Sequence, residues 1–362
     1  MSAEGTGVHR VLFLAHSHAF GPFRVGSHHY ARTLAQRGFD VVHMSTPISL
    51  AHRALGRVDR AAIASVPRTP HRSTSGVTHV VPRTVLPRPY GRFRVARELE
   101  RQGVAPDFDV VLIDQPLLWD DTVRALAPRL VYRPTDLYLA GVKARLQGEI
   151  AADADGVVAT SEEVLRALGS LPVPTLTLEN GVDAVRFAPA ADDHAARPAV
   201  AVYVGALDER FDWTQLDRWA RAHPEWRFII AGPTPAPPSP PPSNVEVMGA
   251  IPYEALPALL NGARVGLLPL SDHPLNAGRS PMKLYEYLSA GLAVVSRATP
   301  VIRADEQAGL FTYRDATTAD HALQRAMTHP SPNVPGTHRA ARESWREKTD
   351  VLVSFLNALP SR

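Results

Sequence analysis

The apolar residues of the chain gather in short runs, with glycine and polar residues where turns are needed. In the first half these runs are Val8–Ala15, Phe39–Ser45, Phe108–Asp114, Leu130–Arg133, Ala154–Ser161 and Thr175–Leu178. Each is short enough to read as a buried strand. Between them lie stretches with helical spacing: Ser27–Arg37, which Gly38 closes, then Val142–Ala152, then Glu162–Leu168 with Ser161 as its cap. The second half repeats the alternation, with strands expected over Ala199–Gly205, Trp226–Gly232, Asn244–Met248, Val265–Pro269 and Leu292–Ser296. In Arg339–Leu359, the residues Trp345, Val351, Leu352, Phe355, Leu356 and Leu359 share one helical face. Strands alternating with helices predict parallel sheets with helices on their faces.

One stretch organises the rest. The run Val265–Pro269 leads into a polar loop, 270–279, then Ser280-Pro-Met-Lys-Leu-Tyr-Glu-Tyr-Leu-Ser-Ala-Gly291, then the run Leu292–Ser296. Ser280 is a good helix cap, Pro281 suits a first helical position, and Gly291 is a natural stop. The helix between them spans roughly 15 Å. This is a parallel βαβ unit, and ligands of open parallel sheets sit outside the carboxyl ends of the strands. The amides of Met282, Lys283 and Leu284 open the helix, have no partner within it, and suit a phosphate. Lys283 adds a full charge. Glu286 lies one turn deeper on the same face, where a carboxylate would accept from paired sugar hydroxyls. An ordinary solvated Lys–Glu pair would look the same in isolation.

Length and composition narrow the classes. A chain of 362 residues suggests two domains, and 45% hydrophobic residues is ordinary globular composition. The net charge of +3 carries no nucleic-acid signature. There is no cysteine, hence no disulfide framework, thiolate metal site or thiol nucleophile. Asp272-His273 is a poor metal signal. No apolar run approaches the roughly 20 residues that span a bilayer, and Met1–Gly7 does not read as a signal peptide, so a cytoplasmic protein is expected.

The stretch Thr46–Pro106 breaks the rhythm. Arg83, Arg88, Arg92, Arg94 and Arg97 interleave with Val85, Leu86, Tyr90, Phe93 and Val95. Two readings stand: peripheral contact with anionic lipid or a lipid-linked acceptor, or irregular structure whose arginines reach to water.

Pro281–Val295 resembles the donor-site helix of GT-B glycosyltransferases, which use nucleotide sugars. Other segments carry the resemblance along most of the chain. They are the strand–loop–helix opening, Tyr132 followed by Asp136, Thr160-Ser-Glu162, Glu179-Asn-Gly-Val-Asp-Ala-Val-Arg-Phe187, and Gly249-Ala-Ile-Pro-Tyr-Glu-Ala-Leu-Pro257. The opening loop lacks Gly-x-Gly-x-x-Gly, which argues against a dehydrogenase. The resemblance implies an α/β GT-B fold of two Rossmann-like, doubly wound parallel-sheet domains facing across a cleft. The expected division is an acceptor-binding domain over 1–188, a donor-binding domain over 189–340, and a last helix, 341–362, crossing back to the first domain.

It also implies roles. The donor set is Gly205, Arg210, Met248, Gly249, Ile251, Met282, Lys283, Leu284 and Glu286. Many relatives place an arginine where Ala206 stands, so Arg210 would supply that charge. His16, Arg24 and His28 are acceptor candidates, although some histidines of that loop must serve the fold instead. Asp136 follows a strand and resembles the base of the inverting glucuronosyltransferases of bacterial polysaccharide assembly; a turn or cap role is its plain alternative. Retaining relatives have a second glutamate where Gly278 stands, which favours the inverting comparison. The partners implied are a nucleoside diphosphate sugar, UDP-linked, and a glycan, lipid-linked or small-molecule acceptor, with no metal or cofactor. The rival readings are a non-catalytic nucleotide-sugar-binding subunit and a nucleotide-sugar epimerase.

Overall fold

The computed structural model describes residues 8–21, 23–51, 63–88, 90–91, 93–189, 197–233 and 237–361. Met1–Gly7, Arg92 and most of the expected linker 190–198 lie outside them. The chain divides into two compact units, Met1–Glu179 with Lys348–Arg362, and Asn180–Glu347.

The first unit is built on strands β1 (Arg10–Ala15), β2 (Asp40–Ser45), β3 (Ile48–Ser49), β4 (His71–Arg72), β5 (Thr78–Val80), β6 (Arg83–Thr84), β7 (Val110–Ile113), β8 (Arg129–Tyr132), β9 (Gly156–Ala159) and β10 (Thr175–Thr177). Its main sheet has the order β10-β9-β8-β7-β1-β2-β5-β4, and only the β4–β5 pairing is antiparallel. The pair β3 and β6 forms a separate two-stranded ladder. That small ladder and the helix Val95–Arg101 occupy the stretch where no period was legible. The helix Gly26–Gln36 ends before Gly38, whose φ of 91° only glycine adopts without strain.

Residues of the last helix, Trp345–Ala358, pack on this unit. Asn357 accepts from the Val8 N–H at 3.2 Å, Arg129 donates to the Leu359 carbonyl at 3.2 Å, and Thr33 and Thr349 share a hydrogen bond of 2.6 Å. An added Cβ at Gly156 would strike Leu359 and Phe355, so the glycine admits the helix to the sheet.

The second unit holds β11 (Val200–Val204), β12 (Arg227–Ala231), β13 (Val245–Val247), β14 (Val265–Leu268), β15 (Ala293–Arg297) and β16 (Leu310–Tyr313). Their order is β13-β12-β11-β14-β15-β16, all parallel. Both faces are covered. Val200, Val202 and Val204 join one core, while Ala201 and Tyr203 join the other. This two-sided burial makes the strands continuous apolar runs. Val182 and Phe187 belong to the first of these cores, so the segment after Glu179 packs with the second unit.

Two local expectations are corrected. Arg339–Leu359 is not one helix: Val334–Ala341 and Trp345–Ala358 are separated at 342–344. There the backbone pairs with Val182, which donates to Glu343 and accepts from Trp345. Ser280 does not cap the central helix. The helix is Met282–Ser289, Pro281 holds the cap position without a side-chain bond, and Ser280 is engaged by Asn180.

Candidate functional site

In each unit the chain order reverses beside the first strand. In the second unit β11 lies between β12 and β14, and in the first β1 lies between β2 and β7. Loops leave such a switch point in opposite directions and open a crevice at the carboxyl edge.

In the second unit the crevice is flanked by Gly205–Arg210 after β11 and by 269–281 after β14. The helix Met282–Ser289 starts there. The Leu284 N–H bonds the Pro281 carbonyl at 3.2 Å, so of the three expected amides it is not open to a ligand; Met282 and Lys283 are the first two residues of the helix. Glu286 is only 4% exposed, and burial raises its pKa while the Lys283 charge opposes the shift. Its carboxylate accepts no hydrogen bond from any described residue. Lys283 is half-buried; burial lowers its pKa, and the charges of Arg279 and Arg210 add to the lowering against Glu286. Three cations therefore surround the helix start.

Arg210 is committed more than its charge alone suggests. It donates to both oxygens of Asp208, with a closest approach of 2.5 Å, and that bond holds the Asp208 pKa down. Arg279 has no such carboxylate partner among the described residues; it lies against Tyr203, whose hydroxyl donates to the Ala206 carbonyl at 2.7 Å. The charge expected at Arg210 is thus shared with Arg279, a residue of the 270–279 loop outside the donor set expected from the sequence. Gly205 bonds the Ala231 carbonyl, and an added Cβ would strike the Tyr203 ring. After β13, Met248 is exposed with its N–H on the Ile230 carbonyl; the Gly249 carbonyl accepts from Gly232; Ile251 packs against the core.

In the first unit the crevice residues are His16 after β1, Gln115 after β7, and Arg133 to Asp136 after β8. Below them Asp114 and Arg133, 1% and 2% exposed, form a two-pronged ion pair of 2.9 and 2.5 Å. Above it His16 bonds Gln115 at 2.9 Å and Thr135 at 3.0 Å. Asp136 is exposed, and its Oδ2 accepts from the Thr135 hydroxyl at 3.4 Å. Burial lowers the His16 pKa, with Asp114 and Asp136 opposing.

The other acceptor candidates lie differently. Arg24 donates to the Gly21 carbonyl at 2.7 Å and the Phe23 carbonyl at 3.2 Å. His28 is buried; its Nδ1 accepts from the Val25 N–H at 3.2 Å and its Nε2 donates to the Ser17 carbonyl at 2.9 Å. Its ring stacks 4.8 Å from His43, which lies 5.5 Å from His79. Both nitrogens of His28 are consumed inside the unit, which leaves it no contact to offer an acceptor. Gln115 and Thr135 complete the constellation instead. Only the strand-end position of Gln115 could have marked it. Among the described residues no group of three or more His, Asp or Glu is placed to hold a metal.

Residues 198–329 match the family described as Glycosyl transferases group 1. This match lies within the second unit. A protein of Bacillus subtilis (strain 168), provisionally named as the teichuronic acid biosynthesis glycosyltransferase TuaH, is 24% identical over 165 residues, 41% of this chain and 39% of that protein. The match thus spans well under half of this curated relative. Sucrose-phosphate synthase from Thermosynechococcus elongatus superimposes with a TM-score of 0.69 at 16% identity, over 96% of this chain and 98% of that one. HepE of Anabaena, solved in complex with UDP-glucose, gives 0.66 at 15%, over 97% and 100%. A trehalose-6-phosphate protein from E. coli, bound with UDP-2-fluoro glucose, gives 0.66 at 12%, over 98% and 100%. These likenesses extend along both units, and the fold is GT-B.

Proposed function

We propose that the protein is a glycosyltransferase that moves a sugar from a UDP-linked donor to a hydroxyl of a glycan, lipid-linked or small-molecule acceptor. The second unit holds the donor. The observation that carries this reading is Glu286: a buried carboxylate without a hydrogen-bond partner among the described residues, one turn inside a helix start ringed by Lys283, Arg279 and Arg210. Its oxygens are left as acceptors for a ligand, and paired ribose hydroxyls would donate to them. The amides of Met282 and Lys283 and the three cations take the diphosphate and stabilise its departing charge. Gly205 lets the chain pass close to the phosphates, and the backbone around Met248, Gly249 and Ile251 reads the base.

The first unit holds the acceptor. Asp136 removes the hydroxyl proton as the oxygen attacks the anomeric carbon, with His16 and Arg24 near the acceptor. No helix among the described residues is long and apolar enough to cross a membrane. Val85, Leu86 and Tyr90 are exposed beside arginines, and peripheral contact with a membrane carrying a lipid-linked acceptor fits that surface. A nucleotide-sugar donor implies work on the cytoplasmic side.

Calorimetry with UDP, GDP, ADP and dTDP tests the donor site. Binding of UDP in preference to the others, weakened by Lys283→Ala, is expected. A folded protein that binds none of them sinks the reading.

A further inference from the structure

The carboxyl ends of β7, β1 and β8 bring Gln115, His16, Thr135 and Asp136 into one line of hydrogen bonds. Its polarity follows from its first member. Gln115 is buried, and its backbone N–H bonds the Leu14 carbonyl at 3.2 Å, beside the Asp114 N–H at 2.9 Å. Its side-chain Oε1 accepts from the Leu117 N–H at 3.3 Å, so the amide nitrogen faces His16. An amide nitrogen only donates; Nδ1 of His16, at 2.9 Å, must therefore be the bare acceptor nitrogen. A neutral imidazole so held carries its proton on Nε2. Nε2–H then donates to Thr135 Oγ1 at 3.0 Å, with the Tyr138 hydroxyl a longer neighbour at 3.5 Å. The single proton of Thr135 is left for Asp136 Oδ2.

We infer that Gln115 is a positioning residue: by donating to Nδ1 it holds His16 as the Nε2–H tautomer, and through Thr135 that ring orients the Asp136 carboxylate. One oxygen of Asp136 is anchored by this line, and the other takes the acceptor proton. The inference rests on reading Asp136 as the base, and it assigns His16 as a donor that cannot itself be that base.

Long-range 15N-correlated NMR of the full chain without substrate tests the tautomer, with His16 assigned by its loss in His16→Asn. The expected pattern is a protonated Nε2 and a bare Nδ1 at about pH 8, where the ring is neutral. Gln115→Glu puts an acceptor in place of the donor, and Nδ1 should then gain a proton. A wild-type ring protonated on Nδ1, or a pattern unmoved by Gln115→Glu, overturns the inference. A second arm measures sugar transfer. Thr135→Val should lower kcat about tenfold with the donor KM held, and Thr135→Ser should restore it. Equal loss in both variants, or loss in neither, breaks the link to Asp136. Absence of transfer by the wild type would count against the proposed function, while the NMR arm would still decide the role of Gln115.

Discussion

Asn180 holds Ser280 across a hundred residues of chain by two hydrogen bonds. Its backbone N–H donates to Ser280 Oγ at 3.0 Å, and its side-chain amide donates to the Ser280 carbonyl at 2.8 Å. The residue that the sequence offers as a helix cap is instead a clasp between the start of the second unit and the entrance to its central helix. The clasp fixes the loop 269–281, and with it Arg279 and Lys283. Asn180→Ala removes the side-chain bond, keeps the backbone one, and should cost about 1 kcal/mol of stability. A thermal melt would register this as a lowered Tm, and nucleotide affinity should fall because the loop is less ordered. An unchanged Tm would mean that the side-chain bond contributes nothing net.

Lys283→Ala should weaken UDP binding by about ten- to a hundredfold, the loss of one charge-assisted contact to phosphate. Glu286→Gln keeps the volume but removes the charge, and should weaken UDP more than it weakens pyrophosphate, which has no ribose. Calorimetry with both ligands separates the two roles. Equal losses for UDP and pyrophosphate would remove Glu286 from the ribose.

The first unit should be sensitive to mild acid. Burial lowers the pKa of His28 to about 3 and of His79 to about 4, and it lowers that of His43 well below the ordinary value. His18, His71 and Arg24 add positive charge around them. The unfolded chain binds protons at these sites near pH 6.5 while the folded unit does not, so stability is full above that pH and falls as pH drops toward 4 and then 3. At pH 5 the loss is about 2 kcal/mol for His28 and about the same for His79. Denaturant melts between pH 8 and 5 measure it, and His79→Gln should flatten the slope by roughly a third. An identical slope in that variant would exclude His79.

The pair Asp114–Arg133 predicts a different pattern. Asp114→Ala leaves a buried guanidinium without its partner and should cost about 3–5 kcal/mol. The double change Asp114→Leu with Arg133→Met removes both charges and should recover most of it. Urea unfolding of the two variants decides between them. A double variant as unstable as the single one would show that the pair is needed for packing rather than for charge balance.

Much of the fold was legible because a strand buried on both faces needs a continuous apolar run, and a turn needs a glycine. Gly38 and Gly291, with φ of 91° and 75°, end their helices where the pattern placed them. The stretch 46–106 was not legible, since strands of two or three residues such as Ile48–Ser49 and Arg83–Thr84 carry no period to read. The donor-side candidates Lys283 and Glu286 were legible because i and i+3 share a helix face by local geometry alone. Arg279 was passed over because its worth depends on Asp208, seventy-one positions earlier in the sequence, having claimed Arg210.

The sequence by itself determined the strand–helix alternation, the two series of strands and the identity of the central helix, because these follow from periodicity within a few residues. Only the tertiary structure decided what each polar residue is for. Ser280 became a clasp rather than a cap, and His28 became part of a buried ring cluster rather than a ligand contact. His16 met Gln115, ninety-nine residues away, because β1 and β7 are neighbours in the sheet. A hydrogen bond between strand ends depends on which strands lie side by side, and sheet order is set by packing of the whole unit rather than by any local pattern.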